Sequence, residues 1–214
     1  VDIDEKSLDK YGQYPWPRNI YSEIMLDTHY SNTHVFTQVF NQPDRFNGDE
    51  KFAEGLVNRL SILSAAPTSQ KDTGSAPYVK TSVFGGGDIK DSIWNFSGMS
   101  APIQLLQDNT YGVGVTVTTP PLPDTPNFDG TVRSAPLIVS ANDQIYPSVA
   151  LETLRAFYDQ PNYQTRVTPE VGIEWIRMGR QPPIETTSTA DVMITYWNDF
   201  DRVSASELNE SYQN

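Results

Sequence analysis

An α/β domain with a mixed, partly parallel central sheet flanked by helices, and with hairpins late in the chain, is the fold this sequence predicts. Three observations carry it. Helix-period and strand-period apolar patterns alternate early, from Ile20-Tyr21-Ile24-Met25 through His34–Phe40 to Phe52-Ala53-Leu56-Val57-Leu60. Short strands separated by turn residues take over after Gly112. The 214 residues are 37% hydrophobic, enough for one good-sized core, while 16 Pro and 13 Gly demand many turns and few long helices.

Val1–Asp4 reads as a buried strand, beginning with no lead-in and no Met, as in a piece trimmed from a longer protein whose flanks hold membrane segments. Glu5–Gln13 is polar apart from Leu8 and Tyr11, and Gly12 offers a turn. Tyr14-Pro15-Trp16-Pro17-Arg18 brackets an indole between prolines, and Pro17 suits the first turn of a helix over 18–28. Trp16 is then either a core plug or a ligand-facing ring. His34–Phe40 is the second strand, expected parallel to Val1–Asp4 through a right-handed β-α-β crossover. Asn47, with Glu50 three residues on, marks a capping box for the next helix. Ile62–Ala66 is a short buried strand.

The stretch from Pro67 to about Asp91 is polar and contains Gly85-Gly86-Gly87, so it reads as a functional or flexible loop, with Tyr78-Val79 and Val83-Phe84 able to dock back or form a short hairpin. Gly112–Thr118 alternates as a strand with its valines on one face. Thr131–Ser140 is another strand, with Pro136 calling for an edge or a bulge. Gln144–Tyr146 follows, and Pro147 opens a helix with Ala150, Leu151, Leu154, Phe157 and Tyr158 facing inward. Val171–Met178, Gln181–Ile184 and Val192–Trp197 are the late strands. The tail from about 203 to 214 should fray, apart from a short helix over Val203–Leu208.

Charge and composition exclude several functions. Fifteen Lys and Arg against 27 Asp and Glu leave a net charge of −12, which repels phosphate backbones, so nucleic acid is not a partner. Without cysteine there is no disulfide, thiolate zinc site or thiol nucleophile. No run of about 18 apolar residues is present to span a membrane. Asp72-Thr73-Gly74-Ser75 spells half of an aspartic-protease dyad, but no second copy exists to share its proton. Ser7-Leu8-Asp9-Lys10 lacks the companion elements of a serine–lysine site. Gly112-Val113-Gly114 stops short of a dinucleotide fingerprint. His29 and His34 lack metal spacing and a carboxylate trio. No catalytic residue, metal or cofactor follows from these patterns.

Two loops remain. If Val1–Asp4 and His34–Phe40 are parallel neighbours, the Asp4–Arg18 and Asn41–Asn47 loops share the carboxyl edge of the sheet, where α/β ligands bind. That edge gathers Asp4, Trp16, Arg18, Asp44 and Arg45, either as a ligand site or as a cross-bracing ionic network. Functions from three classes fit: a sensory binding domain, a small carboxylate-dependent hydrolase of glycosidase type, and a structural protein-binding module.

The run VDIDEKSL…YGQYPWPR resembles the opening of the type-two CHASE domain, the cyclase- and histidine-kinase-associated sensory extracellular domain of bacterial transmembrane receptors. VFNQPDR, FAEGL, Asp129-Gly130-Thr131-Val132-Arg133, APLIV, IYPSVALETLRAF and VMITYW extend the likeness over nearly the whole chain. The family commonly carries an Asp within its second strand, where this chain has Thr37. The resemblance implies one non-enzymatic sensory domain over 1–214 on the periplasmic or extracellular face of the bacterial inner membrane. Its implied partners are a small-molecule or protein ligand, covalently linked membrane helices with a cytoplasmic cyclase or histidine kinase output, and a second copy in a homodimer. Arg133 and Tyr146, from the second strong block, join the candidate ligand residues.

Overall fold

Asp4 begins the structured chain as the N-cap of helix α1 (Glu5–Tyr11), its carboxylate accepting the Ser7 N–H at 2.9 Å, with Glu5 in the first turn. The computed structural model describes residues 1–69, 81–85, 87–120, 122, 124–197 and 200–208. Val1–Asp4 is therefore not the interior strand its apolar alternation predicts. Asp2 makes one isolated parallel bridge to Ser204, and Val1 is 63% exposed. A short acid placed before a helical run gains more by capping orphan N–H groups than by extending a strand.

Pro17 precedes α2 (Arg18–Asp27), as its fixed φ favours. Strand β1 is only His34–Val35, not the predicted 34–40. In a strand, residues 36 and 40 would lie about 13 Å apart. Their rings instead approach to 6.1 Å, and both pack on Phe52 at 5.2 and 5.1 Å, so the backbone must fold back after Phe36. Helix α3 (Asp49–Leu56) starts from Gly48, while Asn47, the predicted cap, takes a left-handed φ of 59°.

Strand β2 (Ser61–Thr68) organises the first sheet. It pairs in parallel with β1 and with β6 (Gly112–Val115), and antiparallel with β5 (Gly98–Ser100). The parallel crossovers thus run through α3 and through α5 (Gln104–Asn109), one unit later than the sequence pattern places them. Within the 67–91 stretch, Gln70–Lys80 and Gly86 lie outside the described residues, and the Asp72–Ser75 motif and Tyr78-Val79 with them. β3 (Thr81–Gly85) docks in parallel on β10 (Tyr163–Thr168), and α4 (Ile89–Ser92) follows.

Strand β10 also pairs antiparallel with β11 (Gly172–Met178), which carries β12 (Ile184–Glu185) at its edge. The predicted strand over 131–140 splits at Leu137. β7 (Ser134–Pro136) pairs with β13 (Asp191–Met193), and β8 (Ile138–Ala141) sits between β4 (Asn95–Phe96) and β9 (Gln144–Pro147). Mixed α/β architecture is as expected, with the strands of the described residues divided among four sheets.

Helix α6 (Val149–Phe157) is rotated from its predicted setting. It buries Leu151, Glu152, Arg155 and Ala156, and leaves Leu154, Phe157 and Tyr158 exposed. The cause lies in β6. A Cβ on Gly112 would sit 2.1 Å from Glu152 Oε1, and one on Gly114 would sit 2.5 Å from the Val149 Cα. The two glycines let the helix rest directly on the strand, with its Glu152 side inward.

Two apolar clusters result among the described residues. One gathers Trp16, Tyr21, Met25, Phe40, Phe52 and Leu56 over β2 and β6. The other gathers Ile138, Leu151, Tyr163, Ile173 and Ile176 around β10 and β11. The tail begins with the short helical segment expected over Val203–Leu208. Ser204, Ala205, Ser206 and Leu208 are buried around a 3-10 turn over Ala205–Glu207.

Candidate ligand-binding clefts

One carboxylate ties two helix starts together. Neither Pro17 nor Gly48 offers a side-chain cap. Asp44 Oδ2 instead accepts the N–H groups of both Arg18 and Gly48 at 2.9 Å, and Oδ1 accepts that of Phe46 at 3.2 Å. Gly48 is required by this approach, since a Cβ there would meet Asp44 Oδ2 and the Asn19 nitrogen at 2.7 Å. Burial pushes the Asp44 carboxyl upward, but the three N–H groups and the Arg18 charge hold it below the ordinary range.

Arg18 is 6% exposed. Its guanidinium donates to Asp49 Oδ1 and to the Gln42 carbonyl, and lies 5.2 Å over the Phe40 ring. Asp49 Oδ2 closes the loop by accepting the Asp44 N–H at 2.8 Å. Trp16 is 3% exposed and donates Nε1–H to the Gly12 carbonyl at 2.8 Å. Around these groups opens a cleft of about 270 Å³ between the 14–18 and 41–45 loops. Arg45 stands on its rim, exposed, with its guanidinium 4.8 Å over Phe46.

The structure thus brings together Trp16, Arg18, Asp44 and Arg45, and leaves out Asp4, Arg133 and Tyr146. The two loops meet because Asp44 clamps the starts of α2 and α3, not because two parallel strands end there. Arg133 donates to Asp129 at 2.6 and 2.8 Å, and Tyr146 is buried in the first apolar cluster. Glu152, whose carboxyl burial pushes upward, is bound to Arg155 inside the fold and presents no acid to either cleft described here.

Asp4 serves the two chain ends instead. Its Oδ1 accepts the hydroxyls of Ser7 at 2.7 Å and Ser204 at 2.8 Å, which draw its carboxyl down from 3.8 to about 2. Because the folded value is depressed, this contribution is fully present above the unfolded value and is lost as pH falls through about 2. An acid unfolding series should therefore show the wild type losing stability between about pH 4 and pH 2. Asp4→Asn should lose less over that window, and equal losses in both proteins would exclude this role.

A second cleft, of about 300 Å³, shares Tyr21 with the first. Its walls are the end of α2, the 31–38 segment, Val1 and Ile3, and Ala205. Reading 34–40 as a strand hid it, because a strand would carry Thr37 and Gln38 into a sheet rather than around a cleft. No helix among the described residues is long and apolar enough to cross a membrane. No curated protein and no solved structure matches this chain. A family model described as the CHASE2 domain matches residues 1–213. The chain accordingly belongs to the CHASE2 family of sensory extracellular domains found in receptors.

Proposed function

We propose that residues 1–214 act as one non-enzymatic sensory unit on the periplasmic or extracellular face of a bacterial inner membrane. In that reading, membrane helices link it to a cytoplasmic cyclase or histidine kinase output. Besides family membership, one observation supports the reading: the first and last described segments are fastened to each other. The Asp2 N–H donates to the Val203 carbonyl at 2.8 Å, and the Ala205 N–H to the Asp2 carbonyl at 2.9 Å. Lys10 donates to the Ser206 carbonyl, and Lys6 pairs with Glu207 at 3.0 Å. The buried Ser7 hydroxyl also links the segments, meeting the Ser204 hydroxyl at 3.0 Å and accepting the Ser206 N–H at 3.2 Å. A change of packing at this seam is felt by both ends at once. A ligand shifts such an equilibrium only by its differential affinity for the two packings.

The full-length reading frame is the first test, since a frame without membrane-spanning segments on its flanks overturns the proposal. With such segments present, Ser7→Ala should change the basal output of the intact receptor. Within the same reading, the cleft between the 14–18 and 41–45 loops takes an anionic ligand at Arg45. Thermal-shift screening of simple carboxylates should give a stabilisation that Arg45→Ala abolishes and Asp4→Asn preserves. Equal stabilisation of wild type and Arg45→Ala places any such ligand elsewhere.

A further inference from the structure

We infer that the cleft between the 31–38 segment and the fastened chain ends binds a small, uncharged, hydroxyl-rich molecule, a monosaccharide or a linear polyol. Three features of its wall carry this. The first is charge: in a chain of net charge −12, no Asp, Glu, Lys or Arg side chain among the described residues lines this cleft. His34 is the imidazole on the wall, and burial together with the Arg59 charge lowers its pKa, leaving it neutral. Its Nε2 is already paired with the Thr28 hydroxyl at 2.9 Å. An ionic ligand would find no charged side chain on this wall, among the described residues, to offset its desolvation.

The second feature is polarity without partners. Thr33 Oγ1 and Gln38 Oε1 both belong to residues on this wall, and both are buried with no hydrogen-bond partner. Buried polar atoms in folded proteins are nearly always paired, so two such atoms on one wall call for an explanation. Thr37 adds an exposed hydroxyl between them. A small rotation of either side chain toward the cleft would give a ligand hydroxyl an acceptor. The third feature is the ring surface of Tyr21 and Phe36, which stand edge to face at 6.1 Å and line the same cleft. Hydroxyl and amide groups beside aromatic rings suit a molecule with hydroxylated edges and aliphatic faces. A volume of about 300 Å³ fits one sugar ring rather than a chain.

The place of the cleft gives binding a consequence. Ile3 and Ala205 line it, and they flank the seam that fastens the chain ends. A ligand here touches both segments and favours one packing of the seam over another. That consequence rests on the sensory reading, whereas binding itself does not.

The test uses the 214-residue chain, its Val1 amine acetylated, with glucose, galactose and mannitol at millimolar concentration, beside glucuronate and glucosamine as charged counterparts. At least one neutral probe should raise the wild-type unfolding temperature by about 2 °C or more. The charged counterparts should not. Thr33→Val/Gln38→Leu, which replaces unpaired oxygens by groups of similar shape, should fold as well as wild type and lose the shift. Should that variant fail to fold, the exposed Thr37→Val should weaken the same probe. Amide chemical shifts should move at 33–38 and at Ala205. No response to any neutral probe, equal response to the charged ones, or undiminished response in the variants would overturn the inference. So would shifts confined to 41–45, an outcome that leaves the sensory reading intact. A probe that binds here while the intact receptor's output stays unchanged instead counts against signalling through the seam.

Discussion

Trp16→Ala should destabilise the protein by about 3–5 kcal/mol, seen as a lower denaturation midpoint at an unchanged slope. The indole is 3% exposed and lies among Tyr11, Tyr14 and Tyr21, with ring centroids 5.1, 6.5 and 6.4 Å away. Pro15 and Pro17 flank it and limit how far the backbone can relax into the space the ring would leave. The cavity term should therefore add to the transfer term rather than collapse. Its Nε1–H also holds the Gly12 carbonyl at 2.8 Å. Trp16→Phe, which keeps an aromatic plug and gives up that bond, should fall in between. A loss below about 1 kcal/mol for the alanine variant would rule out the plug.

What the sequence conveyed, and what it withheld, follows from the range of the interactions involved. Helix α2 and strand β2 were legible because the periodic spacing of Ile20, Tyr21 and Met25, and the apolar run at Ile62-Leu63, are local signals that tertiary packing reinforces. Trp16 reads as a core plug or a ligand-facing ring, and its 3% exposure favours the plug that the alanine variant tests. Val1–Asp4 and residues 36–40 were misread because their structure depends on distant partners. Asp4 answers to Ser7 and Ser204, while Phe36 and Phe40 answer to Phe52. The Ser7 contact is a local helix cap, but no pattern within ten residues reports Ser204 or Phe52. The inward face of α6 was misread for a related reason. Leu154, Phe157 and Tyr158 are apolar at helical spacing, yet glycines about 40 residues earlier decide which side meets the sheet. For the candidate clefts, the composition of the 14–18 and 41–45 loops was visible, but their clamp through Asp44 was not. The second cleft was invisible, since nothing in the order of Thr33, Thr37 and Gln38 announces that Ile3 and Ala205 line the same cleft.

Those glycines also set up the second large effect, at the Glu152–Arg155 pair. Glu152 is fully buried, and Arg155 donates to it twice, Nε to Oε2 at 2.8 Å and Nη2 to Oε1 at 2.6 Å. Arg155 Nη1 donates to the Gln160 carbonyl at 2.6 Å, and the guanidinium lies 5.4 Å over the Tyr111 ring. Burial pushes the Glu152 carboxyl upward against the pull of Arg155, whose own pKa rises through the same contact. Two low-dielectric charges of this kind cost desolvation energy, which their mutual attraction and complete hydrogen bonding offset. Removing one partner leaves the other buried and unpaired, so Glu152→Ala should cost about 3–5 kcal/mol. Glu152→Gln keeps the shape and one acceptor but gives up the charge, and should cost less. Replacing both members, Glu152→Leu with Arg155→Met, removes the uncompensated ion and should recover most of the single-variant loss. Denaturant unfolding of Glu152→Leu, Arg155→Met and the double variant measures the coupling directly. Additive losses in the double variant would mean that the two side chains contribute independently, and that α6 is held on β6 by apolar contact alone.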